Sequence, residues 1–307
     1  MRFAAVIVTY NRLEKLKKTL TAYESQTVPF DDIVVVDNNS SDGTKEFLAK
    51  WNTISGNTRR HVLLLKENVG GSGGFYAGEE FALTLKPDWI SVGDDDAYPH
   101  NDYLEKAKSF IKKNKDGRFA AICGKVLNID GSIDLGHRSN FVKSPIWGYP
   151  RVESKEGDYS KESFSINMFS YVGTFMNVDA LNEKGLCNKN LFIYADDAEH
   201  SLRLEEYGPI VCIPDVEILH DSGQTTAKNN QNILISWRDY YAIRNQLLLF
   251  WNRNKLATFY FVRVSFVQCL RAGFDGIKLF FTALWDACLY NLGKHPIYKP
   301  GFEIRKK

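Results

Sequence analysis

The chain has 307 residues, 44% of them hydrophobic and 25% charged, a soluble globular composition that excludes extended disorder. A formal net charge of +2 carries no electrostatic footprint for nucleic acid. The five cysteines (Cys123, Cys187, Cys212, Cys269 and Cys288) are scattered and form no CxxC pair, which argues against a disulfide framework or a zinc centre and suits a reducing compartment.

The N-terminus, MRFAAVIVTYNR, goes straight into a strand pattern, and its apolar run is too short for a signal peptide. AAVIVT (4–9) reads as a buried strand, and Leu13, Leu16, Leu20 and Tyr23 follow at helical spacing. IVVVD (33–37) is a second strand, residues 42–51 a helix entered through Asp42, and HVLLLK (61–66) a third strand. Residues 73–85 form a helix, WISVG (89–93) a fourth strand, and 100–114 a helix capped by Asn101 or Asp102. Strands alternating with helices predict an α/β fold whose sheet is covered on both faces.

Beyond this half the pattern loosens. Residues 120–128 and 165–178 are strand-like, and 150–163 reads as a polar, mobile loop. A helix is expected over 195–208 and a strand over 209–220, with a polar, flexible stretch at 222–232. From 233 the chain turns helical and aromatic. We expect a catalytic domain over 1–232 and a helical region over 233–307 that either packs as an ordinary subdomain or lies at a membrane surface. No run of about 18 apolar residues occurs, so no transmembrane span is expected.

Ligands of an open α/β sheet bind at the carboxyl ends of its strands. Those ends read Thr9-Tyr10-Asn11-Arg12, then Asp37 followed by Asn39, then Asn68 with Gly70, Gly71, Gly73 and Gly74, then Asp94-Asp95-Asp96. Each alone reads as a turn or cap, and four together read as a polar site. Asp37 can accept hydrogen bonds from a base or ribose. The glycines let a backbone approach a ligand, and their N–H groups suit phosphates. The run is neither a Walker A loop nor GxGxxG, since Tyr76 stands where the last glycine would. Three adjacent carboxylates repel one another, and a divalent Mg2+ or Mn2+ bridging a diphosphate would offset that repulsion.

VIVTYNR, VVDNNSSDGT and the D-x-D within DDDA resemble glycosyltransferase family 2, with its GT-A fold. NVGGSGGFYAG followed by DDDA is similar to the galactofuranosyltransferase branch. The resemblance covers roughly residues 3–250. It implies a Rossmann-like mixed sheet that binds a nucleotide-sugar donor, and metal ligation by Asp94, Asp96 and His220. It also implies a catalytic base in FIYADDAEHSLRL, where Asp197 is the base and Asp196 its neighbour. His61, His100 and His137 read as structural.

The resemblance extends to a Tyr-Tyr-x-x-Arg-Asn element, here starting at Tyr240. Its Arg244 is either a phosphate ligand or a buried structural arginine. Trp147, in SPIWGYP, offers a face for stacking on a sugar or for plain packing. The implied reaction is inverting transfer of galactofuranose from UDP-galactofuranose to a saccharide or lipid-linked acceptor of bacterial surface polysaccharide. That places the protein in the cytoplasm, at the inner face of the membrane if the aromatic helices and Arg305-Lys306-Lys307 touch it. The alternatives are the same chemistry with dTDP-rhamnose or UDP-glucose, a nucleotidyltransferase, and a non-catalytic sugar-nucleotide binder.

Overall fold

The computed structural model describes residues 1–142, 150–223 and 233–305. In chain order, β1 (Phe3–Thr9), α1 (Leu13–Glu24), β2 (Asp32–Asp37), α2 (Thr44–Trp51), β3 (Arg59–Leu64), α3 (Gly70–Thr84) and β4 (Trp89–Asp94) form the alternating half. Next come β5 (Ala97–Pro99), α4 (Tyr103–Lys113), β6 (Ala121–Asn128), β7 (Arg138–Phe141), β8 (Arg151–Glu153), β9 (Phe164–Ile166), β10 (Met168–Phe169) and β11 (Thr174–Asn177). The chain continues through α5 (Val178–Lys184), α6 (Asp196–Leu204), β12 (Ile210–His220), β13 (Ile233–Ser236), α7 (Trp237–Arg253), α8 (Lys255–Leu270), α9 (Gly273–Leu289) and β14 (Glu303–Arg305).

The main sheet runs β3-β2-β1-β4-β11-β6-β12-β5, with β9 also paired to β12. β3, β2, β1 and β4 are parallel, and β11 lies antiparallel between β4 and β6. Successive residues of β1 and β2 alternate between two cores. Ala5, Ile7, Ile33 and Val35 face α1, while Ala4, Val6, Val34 and Val36 face α3. Because both faces are covered, the strands read as continuous apolar runs rather than alternating ones.

The register carries the functional consequence. Thr9 pairs with Asp37, and Val8 with Asp94, so the ends of β1, β2 and β4 lie level along one edge. β12 delivers His220 to the same edge, opposite Ala97 of β5 and Asn128 of β6.

Several sequence expectations shift. Helix α3 begins at Gly70, so the glycine run is the helix's first turn rather than a loop before it. Residues 165–178 split into β9, β10 and β11 because the chain changes sheets: β10 joins the small sheet β10-β7-β8. The stretch 150–163 is not simply a polar loop, because Arg151–Glu153 pairs with β7 and residues 156–160 form a 3-10 turn. Helices α7, α8 and α9 pack on one another through Ile243, Leu247, Leu279, Phe280 and Ala283.

Candidate active site

The three aspartates at the end of β4 do three different jobs. Asp95 points to the end of β1 and accepts from Thr9 Oγ1 at 2.8 Å, from the Tyr10 backbone N–H at 3.3 Å and from Arg12 Nη1 at 3.3 Å. It is a strut holding the TYNR turn, not the ligand contact expected of it. Asp96 Oδ2 receives Arg12 Nη1 at 2.7 Å and Lys15 Nζ at 3.5 Å, while its Oδ1 lies 3.4 Å from His220 Nε2. Asp94 opens into the cleft. Burial pushes the Asp94 carboxyl up to about 7, with Asp96 and Asp95 adding like-charge repulsion.

Asp94, Asp96 and His220 each place one ligand atom within 4.8 Å of the others. Asp96 Oδ1 and His220 Nδ1 are buried with no hydrogen-bond partner among the described residues. Buried polar atoms are ordinarily satisfied, and a buried carboxylate cluster is costly. A divalent cation would answer both, so the donor set fits one. The carboxylates suit Mg2+ or Mn2+, and the imidazole favours Mn2+.

The second carboxylate pair sits at the start of α6. The turn before it holds Phe192, Tyr194 and Ala195 at φ 69°, 67° and 60°, a left-handed run that non-glycine residues rarely adopt. This turn aims the first residues of α6 back at the sheet edge. Asp196 is buried and Asp197 half-buried, and both line the cleft. Burial, with Asp196 as a like-charged neighbour, pushes the Asp197 carboxyl up to about 7.

The cleft holds about 990 Å3 and brings Asp94, His220, Asp196, Asp197 and Gly71 together. Of the four glycines of the 70–74 run, Gly71 alone lines it, and a Cβ there would meet nothing within 4 Å. The other three serve packing. Gly70, at φ +79°, lies against the Phe192 carbonyl, while Cβ atoms on Gly73 and Gly74 would strike Val69 and Val8. Asp37 accepts from the Ser40 N–H at 2.9 Å, Asn11 Oδ1 accepts from the Ser41 N–H at 2.7 Å, and Asn68 Oδ1 from the Gly70 N–H at 2.8 Å. Asn39 has φ 65° in the same loop. These groups shape the sheet edge beside Asp95, outside the residues that line the cleft.

Of the phosphate or acceptor contacts that the sequence offers at Arg244, Trp147 and Tyr240, the structure decides two: Arg244 is the buried structural arginine of its two readings, and Tyr240 is no such contact. Arg244 is 1% exposed and donates to the carbonyls of Leu191, Asn291 and Gly293, so it cannot meet a phosphate. Tyr240 is fully buried, with its hydroxyl donating to Asp286 Oδ2 at 2.6 Å. Trp147 lies outside the described residues.

A further correction adds a residue. His137, read as structural, lines the cleft and stands edge-on to His220 with ring centroids 4.9 Å apart. With Asp134 and His220 it forms a second group of ligand atoms within 4.8 Å. Its hydrogen bond to Asp134 holds that carboxyl down at about 2. Lys15, Arg151, Phe250 and Phe261 were also missed. Lys15 sits one helical turn past TYNR, a spacing that would have flagged it. The others are brought in by tertiary packing alone.

The profile of the family described as "Glycosyl transferase family 2" matches residues 4–182. Galactofuranosyltransferase GlfT1 of Mycolicibacterium smegmatis is 27% identical over 206 residues, which are 66% of this chain and 65% of that protein. The match thus spans just under two thirds of that relative's length. S. aureus TarS 1-349 in complex with UDP-GlcNAc superposes with a TM-score of 0.58 at 16% identity, over 94% of this chain and 80% of that one. GalNAc-T7 with UDP, GalNAc and Mn2+ gives 0.58 at 16% identity, over 80% and 51%. These likenesses establish the fold, a GT-A mixed α/β sheet.

Proposed function

Because the chain belongs to glycosyl transferase family 2, we propose that it transfers a sugar, galactofuranose from UDP-galactofuranose, to a saccharide acceptor with inversion and with a divalent metal bound. The observation that carries this reading is the meeting, in one cleft, of a cation-shaped donor set with unpartnered buried atoms and a carboxylate of raised proton affinity. The galactofuranosyltransferase relative supports the choice of sugar, and the UDP-bound neighbours support a uridine donor.

Asp94, Asp96 and His220 would hold the metal, with Mn2+ the better fit and Mg2+ the alternative. A bound ion would supply charge stabilisation for a departing diphosphate. The chain's own residues do the rest. Arg12 and Lys15 occupy Asp96 Oδ2 and leave its Oδ1 for the ion. Gly71 leaves room for the donor. Asp197 takes the proton of the acceptor hydroxyl as its oxygen attacks the anomeric carbon, and a base with affinity near neutrality is suited to that task. One displacement inverts the centre, and no covalent intermediate forms.

The test is slow donor hydrolysis across a panel of sugar nucleotides with Mn2+ and with EDTA. The reading expects UDP release from UDP-galactofuranose that EDTA abolishes. Release from dTDP-rhamnose or UDP-glucose instead would keep the chemistry and replace the sugar. The absence of both turnover and donor binding by calorimetry would overturn it.

A further inference from the structure

Helices α8 and α9 bury one face and leave the other bare. On α8, Leu256, Phe259, Val264, Val267 and Leu270 are exposed. On α9, Phe274, Phe281, Trp285 and Leu289 are exposed and fall at helical spacing along one stripe. Phe274 is 79% exposed, Phe259 69% and Trp285 64%. The inner faces are also apolar, closed on α7 through Cys269, Leu279, Phe280 and Ala283. A soluble helix with a packed inner face ordinarily turns polar residues outward. Nine large apolar side chains turned outward on two helices packed side by side mark an interaction surface.

Charge selects the occupant. Lys255, Arg263, Arg271 and Lys278 punctuate the same faces, α8 has no acidic residue, and the only exposed acid on α9 is Asp275. Among the described residues Arg263, Arg271 and Lys278 make no ion pair. Trp and Phe side chains interspersed with unpaired cations match the boundary between acyl chains and anionic headgroups. No helix among the described residues is long and apolar enough to cross a membrane, so the pattern fits lying on a bilayer rather than spanning it.

Position gives the surface its use. Ala257 and Phe261 of α8 line the catalytic cleft, while Arg263, Val264, Val267 and Arg271 line a separate groove on the same helix. Tyr260 borders both. One helix is therefore both a wall of the cleft and part of the apolar, basic face. We infer that the outer face of α8 and α9 docks the protein on an anionic phospholipid bilayer, with the cleft mouth held beside the lipid surface.

The test is sedimentation of the full chain with vesicles of phosphatidylcholine alone or mixed with phosphatidylglycerol. It needs no donor or acceptor, so its failure and the failure of the transferase reading are separate events. The expected result is capture by phosphatidylglycerol vesicles that weakens with salt. A cation near an anionic surface contributes roughly fivefold to partition, so Arg263→Gln with Arg271→Gln should weaken it on the order of 25-fold. Phe259→Ser with Phe274→Ser, at exposed positions that leave the fold intact, should abolish capture. No capture by either vesicle overturns the inference. So does self-association by light scattering that the Phe259→Ser, Phe274→Ser variant abolishes while vesicle capture persists, because the face would then hold a second copy.

Discussion

Asn245 Nδ2 donates to the Tyr194 carbonyl at 2.9 Å, and also to the carbonyls of Leu191 and Ile193 at 2.9 and 2.8 Å. With Arg244 on the Leu191 carbonyl, α7 clamps the left-handed turn that presents Asp196 and Asp197. Strained φ values cost on the order of 1–3 kcal/mol each and persist only where surrounding contacts dictate them. Asn245→Leu should therefore let the turn relax and displace Asp197. A misplacement of about 1 Å costs on the order of 100-fold in rate. We expect kcat to fall by that order while UDP affinity is retained. An unchanged kcat would remove the clamp from the account.

His220 supplies one of the three candidate metal ligands and carries an unpartnered buried nitrogen. His220→Gln should raise the Mn2+ concentration for half-maximal donor hydrolysis by at least the roughly tenfold that loss of an outer-shell partner costs. It is a cleaner probe than Asp96→Ala, which would also remove one of the two carboxylates that each of Arg12 and Lys15 pairs with. A metal titration unaffected by the substitution would show that the imidazole does not touch the ion.

Asp197 must be deprotonated to accept a proton, and burial holds its affinity near 7. The sign follows directly: kcat/KM should rise with pH, be half-maximal close to 7, and level off above 8. Asp197→Asn should abolish transfer and keep UDP binding. A rate constant flat from pH 6 to 8, or loss of UDP binding in the variant, would contradict the assignment.

Neighbouring glycines separate packing from ligand space. Gly70→Ala puts a Cβ 2.0 Å from the Phe192 carbonyl at φ +79°, and should destabilise the protein by about 2 kcal/mol or more. Gly71→Ala meets nothing within 4 Å, so stability should hold while donor affinity falls. Thermal denaturation and UDP titration read the two effects independently. Equal stability of the two variants would refute the distinction.

Much of this site was legible in the sequence because it is built at strand ends. β1, β2 and β4 are announced by β-branched runs, and whatever follows them must share one edge. Asp94 and Asp96 are legible that way, whereas Asp197, at a helix start, and the ligand role of His220 are implied only by the motif resemblance. What each side chain does there depended on packing. Asp95 and Asp96 are adjacent, yet one braces a turn and the other faces a histidine, because the chain turns between β4 and β5. Arg244 reads equally as a phosphate ligand or a buried structural arginine, and the fold decides for the second by burying it against carbonyls. His137 sits in a 3-10 turn just before β7 and Arg151 starts the three-residue β8, elements too short to carry a periodic signal and placed by the small sheet.

A metal held by Asp94, Asp96 and His220 should carry the binding of a nucleoside diphosphate in the cleft. Calorimetric titration of the protein with UDP, in Mn2+ and again in EDTA, tests it most directly. Binding that requires Mn2+ is the predicted result. Equal affinity in both, or no binding in either, would contradict it.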